Sequence, residues 1–108
     1  ANMNKNKKRV IARSSTGNRG LVIEVFGNFN LQLHGEFRAA YEGQGQRYNC
    51  YAINLRNCTS LDSAGLGMLL LLREFSGLGK PQLLITHCSP EVRQVLHYAS
   101  FDQLFTIH

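Results

Sequence analysis

Two residues stand out for their chemistry. Asp62 and Ser63, an acid and a hydroxyl side by side, lie directly before a long apolar run, with Gly65 and Gly67 just beyond them. A polar pair in front of an apolar segment marks a helix start. There the first backbone N–H groups have no internal partner, and the macrodipole places partial positive charge. Asp62 or Ser63 can accept from those N–H groups, and one reading of the pair is a cap and nothing more. Gly65 and Gly67 add a second reading. Each costs about 1 kcal/mol relative to Ala inside a helix and contributes no packing. What they provide is a backbone open to close approach by a large group, at a helix end that stabilises an anion. A phosphate ester on Ser63 fits that description, since it adds about −1.5 to −2 charge and several acceptor oxygens.

The elements that must position this pair are legible on both sides of it. Tyr51, Ile53 and Leu55 alternate with Ala52, Asn54 and Arg56, the period of a strand with one buried face, which ends near Arg56. Asn57, Cys58, Thr59 and Ser60 then break the pattern as a polar loop. The helix that follows has an inward stripe of Met68, Leu71, Leu72, Phe75 and Leu78, and it stops at the Ser76 to Pro81 segment. Four consecutive leucines, Leu69 to Leu72, cannot all face one core. Leu66, Leu69 and Leu70 fall outside the stripe and form a candidate docking surface, unless other parts of the chain cover them.

Upstream, Val10 and Ala12 against Ile11 and Arg13 suggest a first strand, and Ser14 to Arg19 with Gly17-Asn18 a hairpin turn. Gly20 to Phe26 is apolar almost throughout, which predicts an interior strand of the sheet. A loop from Gly27 to Asn30 follows, with Asn30 as a helix cap. Leu31, Leu33, Phe37 and Tyr41 approximate one face of an amphipathic helix, with Glu36, Arg38 and Glu42 opposite. Downstream, Gln82 to His87 reads as a short apolar strand. Ser89 caps a third helix with Pro90 at its first position and Val92, Val95, Leu96 and Tyr98 on its buried face. Leu104, Phe105 and Ile107 end the chain as a short strand or docked tail. Strands alternating with helices after a hairpin imply an α/β domain: a mixed sheet, antiparallel at the start and parallel later. Loops after parallel strands gather at one end, which brings Asn28–Asn30, Asn57–Ser63 and His87–Ser89 together.

The chain has 108 residues, enough for one domain with a modest core. Its formal charge is +5, but Lys5, Lys7, Lys8 and Arg9 supply four positive charges with no acid among them. The other eight Lys and Arg stand against seven Asp and Glu, leaving +1. The basicity is therefore a tail, residues 1–8, expected to be disordered, and not a nucleic-acid patch. Cys50, Cys58 and Cys88 show no Cys-x-x-Cys spacing, so neither a disulfide framework nor a metal site is expected, and no cofactor. No apolar run approaches the roughly eighteen residues of a membrane span, and a cytoplasmic protein is expected. An enzyme using Ser63 as nucleophile with His87 or His34 as base lacks an orienting acid, an oxyanion motif and the Gly-x-Ser-x-Gly elbow. No catalytic residue is assigned.

Asp62-Ser63-Ala64-Gly65-Leu66-Gly67, after a strand ending Ile-Asn-Leu and before an apolar helix, resembles the signature of the STAS domain of anti-sigma factor antagonists. Gly27-Asn28-Phe29-Asn30 matches that family's Gly-x-Leu/Phe-Asp turn, and Ser89-Pro90-Glu91-Val92 matches its Ser-Pro helix start. The resemblance covers residues 9–108 as a single STAS domain, with helices largely on one side of the sheet. It implies that Ser63 is phosphorylated by an anti-sigma factor that is also a serine kinase. It further implies that a metal-dependent serine phosphatase reverses the step and that the unphosphorylated form docks. Asp62, Ala64, Gly65, Gly67 and Asn30 would form the phosphosite loop, and Leu66, Leu69, Leu70 and Asn28 the partner surface. Asn30 and Asn28 depart from the acids common in that family. Single STAS domains also resemble accessory subunits that clamp the ATPase of ABC-type lipid transporters, which is the alternative reading.

Overall fold

In the computed structural model, which describes residues 8–15, 17 and 19–108, the chain alternates short strands and helices from Val10 to Ile107. Residues 1–7 of the expected tail, and Thr16 and Asn18 of the expected turn, lie outside the described residues. Strands β1 (Val10–Ser14) and β2 (Gly20–Val25) pair antiparallel. Strands β4 (Cys50–Asn54), β6 (Leu83–Thr86) and β7 (Thr106–Ile107) then add in parallel to β2, giving the order β1-β2-β4-β6-β7. The expected mixed sheet with an initial hairpin is what forms, and β2 is interior as its composition predicts.

Register explains the core. Leu21, Tyr51 and Leu83 face one another across three strands, as do Ile23, Ile53 and Ile85. All six are buried, whereas their chain neighbours Val22, Glu24, Ala52, Asn54, Leu84 and Thr86 are half-buried on the other face. The three helices, α1 (His34–Glu42), α2 (Ser63–Ser76) and α3 (Pro90–Tyr98), cover the first face only. Successive right-handed parallel crossovers in one direction produce that one-sided packing. A run of aromatic contacts joins α1 to its neighbours: Phe29 to Phe37 at 5.0 Å, Phe37 to Tyr41 at 5.8 Å and Tyr41 to Phe75 at 5.1 Å. Arg47 Cζ lies over the Phe75 ring, 4.6 Å from its centroid.

Several expectations are corrected. The polar segment after β4 is not all loop: Cys58–Leu61 forms strand β5, and it pairs in parallel with β3, Gly27–Phe29, in a separate two-stranded sheet. Leu31 does not join the buried face of α1. It lies in a single 3-10 turn, Leu31–Leu33, whose tighter winding turns it outward to 68% exposure while Leu33 is buried. Tyr98 is 78% exposed, so Val92 and Leu96 alone form the buried face of α3, with Val95 at its margin. In α2 the buried residues are Gly65, Met68, Leu69 and Leu72, and Leu71 is exposed. The expected stripe is thus rotated by one leucine.

Candidate functional site

The helix start at Asp62-Ser63 is built by three separate constraints. Asp62 is the cap: its extended backbone (φ −109°, ψ −174°) leads into the helix, and its Oδ1 accepts from Gly65 N–H at 3.0 Å. The first turn of α2 holds no acid of its own, so Asp62 alone answers the helix dipole there. Second, Asp62 N–H donates to Phe29 O at 3.4 Å, extending the register in which Phe29 lies opposite Leu61. Third, Gly65 is pressed against that same strand end. A Cβ on Gly65 would come 2.5 Å from Phe29 O and 2.6 Å from Leu61 Cδ1.

The role expected of Gly65 is therefore corrected. It is buried and lets α2 seat on β3 and β5, leaving no opening for a visitor. Gly67 is different: a Cβ there would meet nothing within 4 Å. Ser63 is the first helical residue, its side chain exposed, and among the described residues its hydroxyl makes no hydrogen bond. With Asp62 supplying the cap, that hydroxyl is left over from the local structure. Ala64 beside it is half-buried.

The two asparagines are structural participants as well as neighbours. Asn30 Oδ1 accepts from Gln32 N–H at 3.0 Å and so caps the 3-10 turn before α1. Asn28 Oδ1 accepts from the hydroxyls of Thr59 at 2.9 Å and Ser60 at 2.7 Å, clasping β3 to β5 on their exposed face. This clasp was not anticipated from the sequence. The sequence carried little signal for it, because Cys58–Leu61 is buried only at its two ends and does not follow the two-residue period of a strand.

Of the leucines expected to meet a partner, Leu70 is exposed and Leu66 half-buried, but Leu69 is fully buried, at 0% exposure. Leu69 is core and does not belong to the surface. Leu71 and Leu31 are the exposed leucines that the spacing missed. His87 is exposed with a left-handed backbone (φ 60°), its Nδ1 3.1 Å from Thr86 Oγ1, and His34 is exposed at the start of α1. Neither is hydrogen-bonded to Ser63 among the described residues. The three cysteines are free thiols; burial pushes the Cys58 and Cys88 thiols up, away from the reactive thiolate. No group of His, Cys, Asp or Glu among the described residues is placed to hold a metal.

An exposed serine at the mouth of a leucine helix, set against a parallel strand pair at the end of a mixed sheet with helices on one face, defines a STAS domain. Residues 6–108 match the STAS domain family, and the chain belongs to it. It is 43% identical over 98 residues to a STAS-domain containing protein of Pseudomonas aeruginosa, covering 91% of this chain and 97% of that one. The anti-sigma factor antagonist SpoIIAA, solved in its unphosphorylated form, has the same fold, with a TM-score of 0.62 and 23% identity over 82% of each chain. So does an anti-sigma factor antagonist from Mycobacterium paratuberculosis, with a TM-score of 0.69 and 20% identity over 92% of this chain and 85% of that one. A sulfate transporter family protein from Wolinella succinogenes shares it too, with a TM-score of 0.65 and 15% identity over 85% of this chain and 84% of that one. Among the described residues no helix is long and apolar enough to cross a membrane.

Proposed function

We propose that this STAS domain is a cytoplasmic regulatory binding protein of the anti-sigma factor antagonist kind, acting by docking and not by catalysis. Its partner is a serine kinase that doubles as an anti-sigma-type regulator. Phosphorylation of Ser63 switches docking off, and a metal-dependent serine phosphatase restores it. The observation that carries this reading is the Ser63 hydroxyl, exposed at the first position of α2 and without a hydrogen bond among the described residues, two turns along the helix from the exposed Leu70. A phosphate there meets the positive end of the helix and leaves the fold in place. The cost falls on the partner, which must desolvate about two negative charges or meet them with its own acids.

The test is binding of the kinase partner to wild type, Ser63→Ala and Ser63→Asp, with the phosphosite mapped by intact mass on protein from its native cells. Ser63→Ala is expected to bind under phosphorylating conditions that release the wild type, and Ser63→Asp to bind weakly. Equal binding by all three overturns the switch. Copurification with a transporter ATPase and a Ser63 that never gains phosphate would instead favour the accessory-subunit reading.

A further inference from the structure

We propose that the free edge of β7, with the basic cleft beside it, is a docking site for an acidic peptide in extended conformation. The site lies on the β7 and α3 side of the domain and does not depend on the role assigned to Ser63. Among the described residues the sheet ends at β7, which pairs with β6 alone. In a strand, successive residues turn their N–H and C=O groups to opposite sides. His108 N–H donates to Ile85 O at 2.8 Å, toward β6. Ile107, one residue earlier, therefore presents its N–H and C=O to the open edge.

Beside that edge is a cleft of about 280 Å³ with Phe105 and Ile107 in its lining and Lys80, Arg93 and His97 around it. The cations come from both flanks. Arg93 and His97 are one turn apart on the same face of α3. Lys80 is held across from them, because its carbonyl accepts from Thr106 Oγ1 at 2.9 Å. Among the described residues Lys80 and Arg93 have no ion-pair partner, a state they share with Lys8, Arg19, Arg47, Arg56 and Arg73, but these two flank one cleft. Asp102 is the one acid in the cleft lining. Two permanent positive charges thus face one negative charge, around apolar side chains and beside an unpaired peptide group.

That combination selects the occupant. The outward N–H and C=O of Ile107 call for another backbone, which a strand added to the sheet edge supplies. A nucleic acid offers phosphate acceptors but no peptide N–H and C=O spaced to pair with those of Ile107. Side chains of an added strand alternate, so acidic residues at every second position would fall on the cleft side. Lysine near a strand edge also fits plain protection against edge-to-edge aggregation, and the experiment separates the two.

Fluorescence anisotropy of the full chain with a labelled peptide alternating Glu and Val is the measurement, against a Lys-Val peptide and a Glu-Val peptide N-methylated on its backbone. Saturable binding of the Glu-Val peptide is expected, with loss on N-methylation. Arg93→Glu should weaken it by about tenfold or more. The Lys80→Glu, Arg93→Glu double variant should come to prefer the Lys-Val peptide. Both side chains are exposed, and an unchanged circular dichroism spectrum checks that the variants fold. No saturable binding, binding that survives N-methylation, or binding indifferent to the charge reversal each overturns the proposal.

Discussion

Gly65 and Gly67 occupy the same turn of the same helix, and the structure assigns their replacement by alanine opposite signs. At Gly67 the new methyl group meets nothing within 4 Å. Only the helix propensity changes, so Gly67→Ala should stabilise by about 0.5–1 kcal/mol. At Gly65 the same gain is offset by contacts of 2.5 Å to Phe29 O and 2.6 Å to Leu61 Cδ1. The leucine methyl can swing aside. The carbonyl is backbone, fixed by the β3–β5 pairing and by the bond from Asp62 N–H. Relief therefore requires α2 to lift from the strand pair, an overpacking cost of up to about 3 kcal/mol. Subtracting the propensity gain leaves Gly65→Ala destabilised by about 2 kcal/mol. Urea unfolding with an unchanged slope should show a gap between the two variants of about 2.5–3 kcal/mol. In thermal unfolding a domain of this size should lose about 8–16 °C for Gly65→Ala. If both substitutions shift stability in the same direction, the seating of α2 on Phe29 is wrong.

Other expectations follow from the same geometry. Asp62→Ala removes the side-chain acceptor for Gly65 N–H and should cost about 1 kcal/mol, whereas Asp62→Asn, which keeps a capping oxygen, should cost only a few tenths; denaturant midpoints of the pair decide it. Leu69→Ala opens a cavity in the core and should cost about 2–5 kcal/mol, while Leu70→Arg should change stability by less than about 0.5 kcal/mol and weaken partner docking. A Leu70→Arg protein that docks normally would remove that residue from the interface. Burial raises the Cys58 thiol above its ordinary value, so the folded state holds the proton after the unfolded chain has released it. Its contribution is complete below an unfolded value of about 8.5 and is lost as pH rises toward the folded value. Urea midpoints of wild type should therefore fall between neutral and alkaline pH, and Cys58→Ala should flatten that fall.

How far the fold was legible depended on how local the governing interactions are. Strands β1, β2, β4 and β6 and the three helices follow from period and punctuation, and Asp62, Ser89 and Asn30 cap where their side chains suggest. Strands β3 and β5 were missed because each is three or four residues long and rich in polar groups, and the pairing that makes them strands is long-range. The rotation of α2 was missed for a different reason. Four successive leucines carry no phase, so spacing could not choose between Leu69 and Leu71 for the core. The phase is set where Gly65, with no Cβ, passes under the Phe29 carbonyl, and a helix seated there turns Leu69 inward and Leu71 out. The same glycine was legible as unusual but not as steric, because the Phe29 carbonyl that it passes comes from a strand more than thirty residues earlier in the chain.

The asparagines show why the site can differ from the family pattern without losing its shape. Asn28 and Asn30 are each used through Oδ1, one to clasp Thr59 and Ser60, the other to cap the turn before α1. An aspartate accepts the same hydrogen bonds, so the local geometry does not require the amide. What the amide changes is charge. The first turn of α2 carries no acid of its own, so along the helix a phosphate on Ser63 would face the single carboxylate of Asp62. Acids at Asn28 and Asn30 would add two more, and like charges held close raise the free energy of the phosphorylated form. The substitutions thus favour the modified state of the proposed switch within the domain itself, and leave the discrimination between the two states to the surface of the partner.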